Sequence, residues 1–246
     1  MSQVKLGDKN IPFIYQGNEL LYPNPVKEGL VLWYDFKGMK NSDISKNVAR
    51  DLSNSNNGVL NNFAYTDSSG YNNGLNLDGI DDYIEVKNNS LVSNLTESIT
   101  INFLFEYKEN VGSFRWLVSN NGDATAATGF GVAYNPSSNA PISFRWGGEV
   151  VYYNLEPEKN KGYLFTFTSN KESGKTLLYV DGKLIREDDF TGTPQKSDKN
   201  LFFGKSAYNS SEVLNGIIKS IQIYNRALTD QEIQHNYNLE KERWGL

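Results

Sequence analysis

Ser98-Ile99-Thr100-Ile101-Asn102-Phe103-Leu104-Phe105-Glu106-Tyr107 is the stretch that decides the fold. Ile99, Ile101, Phe103, Phe105 and Tyr107 recur at every second position, the period of a strand with one face on a core. Upstream, Leu30-Val31-Leu32-Trp33-Tyr34-Asp35-Phe36 places Leu30, Leu32, Tyr34 and Phe36 on one face, and Leu75, Leu77, Ile84 and Val86 belong to two short strands around Asp78-Gly79-Ile80-Asp81-Asp82. Downstream, strands are predicted at 115–119, 130–134, 142–146, 150–155, 162–168, 175–180, 183–187, 201–204 and 217–224. Short strands at this spacing, with turn residues between them, predict an antiparallel sandwich or barrel. Residues 51–74 are rich in Ser, Asn and Gly and hold only short apolar islands.

One helix is marked, over 229–242. Thr229-Asp230-Gln231-Glu232 is a capping box, in which the Thr oxygen accepts from a free N–H and Glu232 reaches back. Ile233, Asn236, Tyr237 and Glu240 then share a face, with Ile233 and Tyr237 as the expected anchors and His235 expected in solvent. At the other end, Lys5–Ile11 and Ile14–Tyr22 each turn on a glycine, at Gly7-Asp8 and Gly17-Asn18, as tight hairpins do. Pro23-Asn24-Pro25 then breaks the chain. The expected organisation is a hairpin attachment segment with a proline linker over 1–26, then one domain over 27–246.

Composition removes several classes of function. The chain has 246 residues, with 24 Lys plus Arg against 29 Asp plus Glu, a net charge of −5. It lacks the basic footprint of a nucleic-acid binder. With 0 Cys and 1 His it can form no disulfide, Cys-ligated zinc site, thiol nucleophile or His-rich metal centre. A mean hydropathy of −0.54 and the lack of a long apolar run speak against a spanning helix, and no apolar signal core follows Met1. The 31 Asn suit a turn-rich protein, because Asn side chains mimic backbone hydrogen bonds and tolerate positive φ.

Several phrases together resemble the laminin-G-like, concanavalin A-like jelly-roll family of lectins and glucanases. They are Gly29–Phe36, Asp51-Leu52-Ser53-Asn54-Ser55-Asn56-Asn57-Gly58, Leu77-Asp78-Gly79-Ile80-Asp81-Asp82-Tyr83-Ile84, Leu178-Tyr179-Val180-Asp181-Gly182-Lys183-Leu184, Phe203-Gly204, and Asn215–Ile218 leading to Ile223–Thr229. The resemblance implies an all-β, two-sheet antiparallel sandwich of six or seven strands per sheet, closed by the C-terminal helix. A second resemblance, carried by the N-terminal hairpins and by Glu240-Lys241-Glu242-Arg243-Trp244-Gly245-Leu246, is to structural proteins of phages of Gram-positive bacteria. It implies a virion location, an N-terminal segment bound to other virion proteins and an oligomer in the particle; charge and hydropathy add the expectation of no nucleic-acid or membrane partner.

The family fold serves both glycosidases and binding modules, so the site must decide. Retaining glycosidases need two carboxylates about 5–5.5 Å apart, and in catalytic members of the family both project from one strand as Glu-x-Asp-x-(x)-Glu. Here Glu187-Asp188-Asp189 is followed by Phe190, Thr191, Gly192 and Thr193 with no second Glu, and Asp81, Asp82 and Glu85 fall at a turn and a strand start. The expectation is therefore no enzyme. No cofactor is expected beyond the structural calcium that many relatives carry. Its oxygen donors would be Asp51, Ser53, Asn57 and Asp82, but Lys219-Ser220 stands where relatives carry acidic residues.

Sugar binding in such sandwiches lays aromatic faces on pyranose rings. Ser-Phe-Arg-Trp occurs twice, at Ser113–Trp116 and Ser143–Trp146. On a strand each Phe and Trp share one face and the Arg takes the other; the ordinary reading puts Phe144 and Trp146 in the core and Arg145 outward, and the binding reading turns the aromatics to the ligand. Trp146, Arg145, Tyr152, Tyr134 and Trp116 are the candidate binding residues. The expected function is host cell-surface carbohydrate binding by a non-catalytic virion component. The alternatives are a purely structural virion protein and a carbohydrate-binding module of a secreted glycan-active enzyme.

Overall fold

The computed structural model describes residues 5–7, 9–16, 19–53, 56–108, 114–135, 137–209 and 211–246. Asp8, Gly17, Asn18, Asn54, Ser55 and Ser113, on which some of the expected turns and motifs fall, lie outside them. Strand Ser98–Tyr107 is the centre of the first sheet. It pairs antiparallel with Gly162–Asn170, Phe103 opposite Phe165, and with Asn215–Tyr224, Phe103 opposite Ile221. Lys175–Val180 and Lys183–Asp189 extend this sheet on one side. On the other, the long strand Asn215–Tyr224 is shared by Leu30–Asp35 and Leu75–Asp78.

The second sheet runs in the order Glu149–Tyr153, Ile142–Trp146, Phe130–Tyr134, Arg115–Ser119, Leu201–Phe203, Tyr83–Val86, Gly58–Asn61 and Val48–Ala49. Each sheet has eight strands, against the six or seven expected. The additions are pieces such as Val48–Ala49, Gly58–Asn61 and Gly70–Tyr71, short enough to hide in the Ser/Asn/Gly stretch. The inner faces meet through interleaved rings: Phe144 on Phe167 with centroids 5.7 Å apart, Tyr107 on Tyr134 at 4.7 Å, Phe103 on Phe203 at 6.5 Å. These rings sit in one continuous apolar core, which the period-two residues Ile99 to Tyr107 enter.

The outer face of the first sheet is also buried, under the helix Asp230–Trp244. Thr229 caps it with both halves of the capping box formed, and Arg226 clasps Glu232 through both carboxylate oxygens. The anchoring face holds Ile233, Asn236 and Glu240 as expected, but not Tyr237. Ile233, Asn236, Leu239, Glu240 and Arg243 are buried, and Tyr237 is half-exposed. The sheet's outward residues Thr100, Asn102, Ser220 and Gln222 explain this, because a polar strand face calls for polar partners on the helix. Asn102 donates to Gln222, and Ser220 donates to Glu240, both at 3.0 Å.

Two hairpin sheets form at the N-terminus, Lys5–Leu6 with Lys9–Asn10 and Ile14–Gln16 with Glu19–Tyr22. The proline segment behind them is bound to the helix rather than free. Asn24 O lies 3.0 Å from His235 Nε2, and Val26 N donates to Asn236 Oδ1 at 3.0 Å. His235 is therefore half-buried, not in solvent as expected.

Candidate functional site

The two Ser-Phe-Arg-Trp copies stand on strands separated by one neighbour, and they face opposite ways. In Ile142–Trp146, Phe144 and Trp146 point into the core. Trp146 is 1% exposed, stacks on Phe190 at 4.8 Å, and donates its indole N–H to Leu95 O at 2.8 Å. Tyr134 is also a core ring, packed edge-on to Tyr107. Neither can serve as the sugar platform expected of it. Both were placed by a rule that gives the face shared by residues of a strand but not its direction.

Arg115–Ser119 carries a register irregularity between Trp116 and Val118. The irregularity restores Val118 to the core and leaves Trp116 on the outer face of the second sheet. There the Trp116 ring lies across Gly131, where a Cβ would meet it at 2.3 Å, so only glycine fits. Its indole N–H donates to Glu212 at 2.6 Å, and Tyr208 packs on it edge-on at 5.9 Å. Trp116 is thereby 0% exposed and forms a floor, not a platform.

Arg145 shares this outer face, directly across from Gly131. Its guanidinium lies over the rings of Phe114, at 4.9 Å, and Trp116, at 5.3 Å, so the arginine of one copy is held by the aromatics of the other. Among the described residues its one hydrogen bond runs from Nη1 to the carbonyl of Ala124, and its buried Nε has no partner. One rung along, Ser143 lies opposite Tyr152 and Ala133, and its hydroxyl is buried and unpartnered. Tyr152 is 46% exposed and is the accessible ring among the five candidates.

Tyr152, Ser143 and Phe114 border a depression of about 500 Å³, completed by Asn135, Ser138 and Asn139. None of the described residues lining it carries a charge. Phe114, Tyr208 and Glu212 belong to this surface but were missed in the sequence. The tetrapeptide repeat was the signal for Phe114; nothing local marks Tyr208 or Glu212, which arrive from the loop after Leu201–Phe203.

A profile of the concanavalin A-like lectin/glucanases superfamily matches residues 78–234. The chain belongs to this superfamily. Among solved structures, this concanavalin A-like sandwich is similar to the botulinum neurotoxin serotype D binding domain, with a TM-score of 0.62 and 20% identity over 87% of this chain and 52% of that one. It is also similar to Trypanosoma rangeli sialidase, with a TM-score of 0.60 and 16% identity over 87% of this chain and 33% of that one. The chain thus spans about half the length of the first and a third of the second, and at these identities the likeness is one of fold. No curated protein sequence matches the chain.

The acidic residues of the Glu187-Asp188-Asp189 run are engaged within the protein. Glu187 and Asp189 pair with Lys175, and Asp188 with Arg186, on the exposed edge strand Lys183–Asp189. Of the calcium candidates, Asp51 accepts from Trp33 N, Ser53 N, Ser53 Oγ and Asn56 N, which closes the loop around it. Asn57 Oδ1 accepts from Asp51 N at 2.9 Å. Asp82 is fully buried, accepts from Ser69 Oγ and Asp78 N, and is pushed by burial up to about 6. A calcium ion takes 6–8 oxygens. Asp51 and Asn57 instead turn their oxygens to the loop's own donors, and the carboxylates near Asp82 are Asp78 and Asp81, within 4.8 Å at the turn. These residues fit loop anchors better than the calcium cage assembled from Asp51, Asn57 and Asp82.

Proposed function

We propose that this concanavalin A-like domain is a non-catalytic carbohydrate-binding module, with its sugar site in the depression beside Tyr152. The observation that carries the reading is a half-exposed aromatic ring set beside Asn135, Ser138, Asn139 and Ser143. A pyranose needs this pairing of a ring for its apolar face and amide or hydroxyl groups for its own hydroxyls. The lining supplies no carboxylate, whereas glycoside hydrolysis by the common mechanisms needs two.

The setting we propose is a phage particle whose lectin domain faces the host wall. The sandwich suits display. The N-terminal segment is bound to the helix over the outer face of the first sheet, and the depression lies on the outer face of the second. Anchorage and ligand thus occupy opposite sides, and single weak sites gain strength when many are displayed together.

The test is binding of the purified domain to a glycan array and to Gram-positive wall fragments, with Tyr152→Ala as the variant. Loss of one stacking ring should weaken binding about 3- to 10-fold, the equivalent of about 0.5–1.5 kcal/mol, with an unchanged circular dichroism spectrum. Failure to bind any glycan, with stoichiometric recovery in particles, would replace this reading with a purely structural virion role.

A further inference from the structure

We propose that the glycan bound at this site is anionic, carrying a carboxylate or phosphate that docks on Arg145. The proposal rests on the sugar-site reading above and names the ligand class. Arg145 is 5% exposed, yet among the described residues it meets no carboxylate. A buried guanidinium is ordinarily compensated by an anion, because burial costs it the solvation of a full charge. The stacking on Phe114 and Trp116 recovers part of that cost, and the acid in this cluster, Glu212, is bound by the Trp116 indole rather than by the guanidinium.

The geometry shows which edge is open. Nη1 is spent on Ala124 O and Nε is buried without a partner; the Nε–Nη2 edge of a guanidinium is the fork that takes an oxyanion through two parallel hydrogen bonds. Ser143, two residues away on the same face, adds a second buried donor with no partner. Phe114 joins this fork to the sugar site, since it both borders the depression and lies over the guanidinium. Phe114 is only half-buried. Gly131 and the ring of Trp116 fix the floor beneath. The chain's net charge of −5 gives polyanions no general attraction to this surface, so their binding would have to be local.

The test is biolayer interferometry of the full chain against three polymers: polygalacturonate for the carboxylate, poly(glycerol phosphate) for the phosphate, and neutral mannan. The expected result is binding of one or both charged polymers at least 10-fold tighter than mannan. That advantage should be lost in Arg145→Gln, and binding should be reduced in Ser143→Ala, which removes only a hydroxyl and guards against misfolding of the first variant. Whichever charged polymer binds identifies the oxyanion. Equal binding of mannan, or Arg145→Gln binding as wild type, overturns the anionic assignment and leaves the sugar site standing. Binding of none of the three, with none on the array either, removes the sugar site as well.

Discussion

Arg243 and Arg145 are both buried arginines on the outer faces of this sandwich, and their surroundings differ in one respect. Arg243, on the C-terminal helix, is bound to Asp35 and lies 3.5 Å from Glu240, with side-chain exposures of 0 and 2% for the two acids. Arg145 has two aromatic rings and a carbonyl, and no acid. Each leaves its Nε unpartnered, so the contrast lies in charge rather than in hydrogen-bond count. The covered face of the first sheet is electrically closed and fixes helix, strand Leu30–Asp35 and N-terminal segment to one another. On the face of the second sheet Arg145 forms no ion pair among the described residues, although Glu212 sits on the same surface, bound to the Trp116 indole.

The comparison can be broken most forcefully by removing each charge in turn. Arg243→Leu leaves Asp35 and Glu240 buried without compensation and should cost about 3–5 kcal/mol of stability in urea titration. Arg145→Leu removes a charge that has no internal partner and should change stability by less than about 1 kcal/mol, the worth of a carbonyl hydrogen bond and the ring contacts set against relief of desolvation. Equal losses in the two variants would mean that Arg145 has a structural counter-charge after all. Gly131→Val forces a branched side chain into the Trp116 ring and should cost about 1–3 kcal/mol, together with the ligand site. Its signature is a change in near-ultraviolet circular dichroism from a displaced tryptophan.

A milder probe is pH. Burial raises the Glu240 carboxyl to about 7 and that of Asp82 to about 6. A carboxyl that holds its proton more firmly when folded stabilises the fold fully below its unfolded value, and that contribution is lost as pH rises through the folded one. The melting temperature should therefore fall between about pH 4 and 7 from these two groups, and Glu240→Gln should flatten part of the slope. A melting temperature that rises across this window would contradict the assignment of Glu240 as a proton-holding buried acid.

Most of the strand framework was legible, because alternation such as that of Ile99 to Tyr107 reports directly on one buried face. The helix was legible through its Thr229–Glu232 cap. Its contact face was legible in part: the spacing puts Ile233, Asn236 and Glu240 on it, but also makes Tyr237 an anchor and misses Arg243, because an amphipathic reading looks for apolar anchors and the covered strand face is polar. The candidate site was half legible. The tetrapeptide repeat named Arg145, and the Val150–Tyr153 run that follows its second copy named Tyr152, both of which face the proposed site. Period two does not say which face is inward, and the irregularity between Trp116 and Val118 turned one copy outward while the other went into the core. Trp146 and Tyr134 were lost to that ambiguity, and Tyr208 and Glu212 come from a loop with no periodic signal.

The most direct test follows the side-chain Nε–H resonances of the arginines by NMR while the bound anionic polymer is added as a short oligosaccharide. The resonance of Arg145, identified by its absence in Arg145→Gln, should shift and sharpen as its fork is filled, while that of Arg243 stays in place. A titration that leaves Arg145 unmoved, or that moves Arg243 equally, would contradict the claim that the second sheet's outer face is the ligand-binding one.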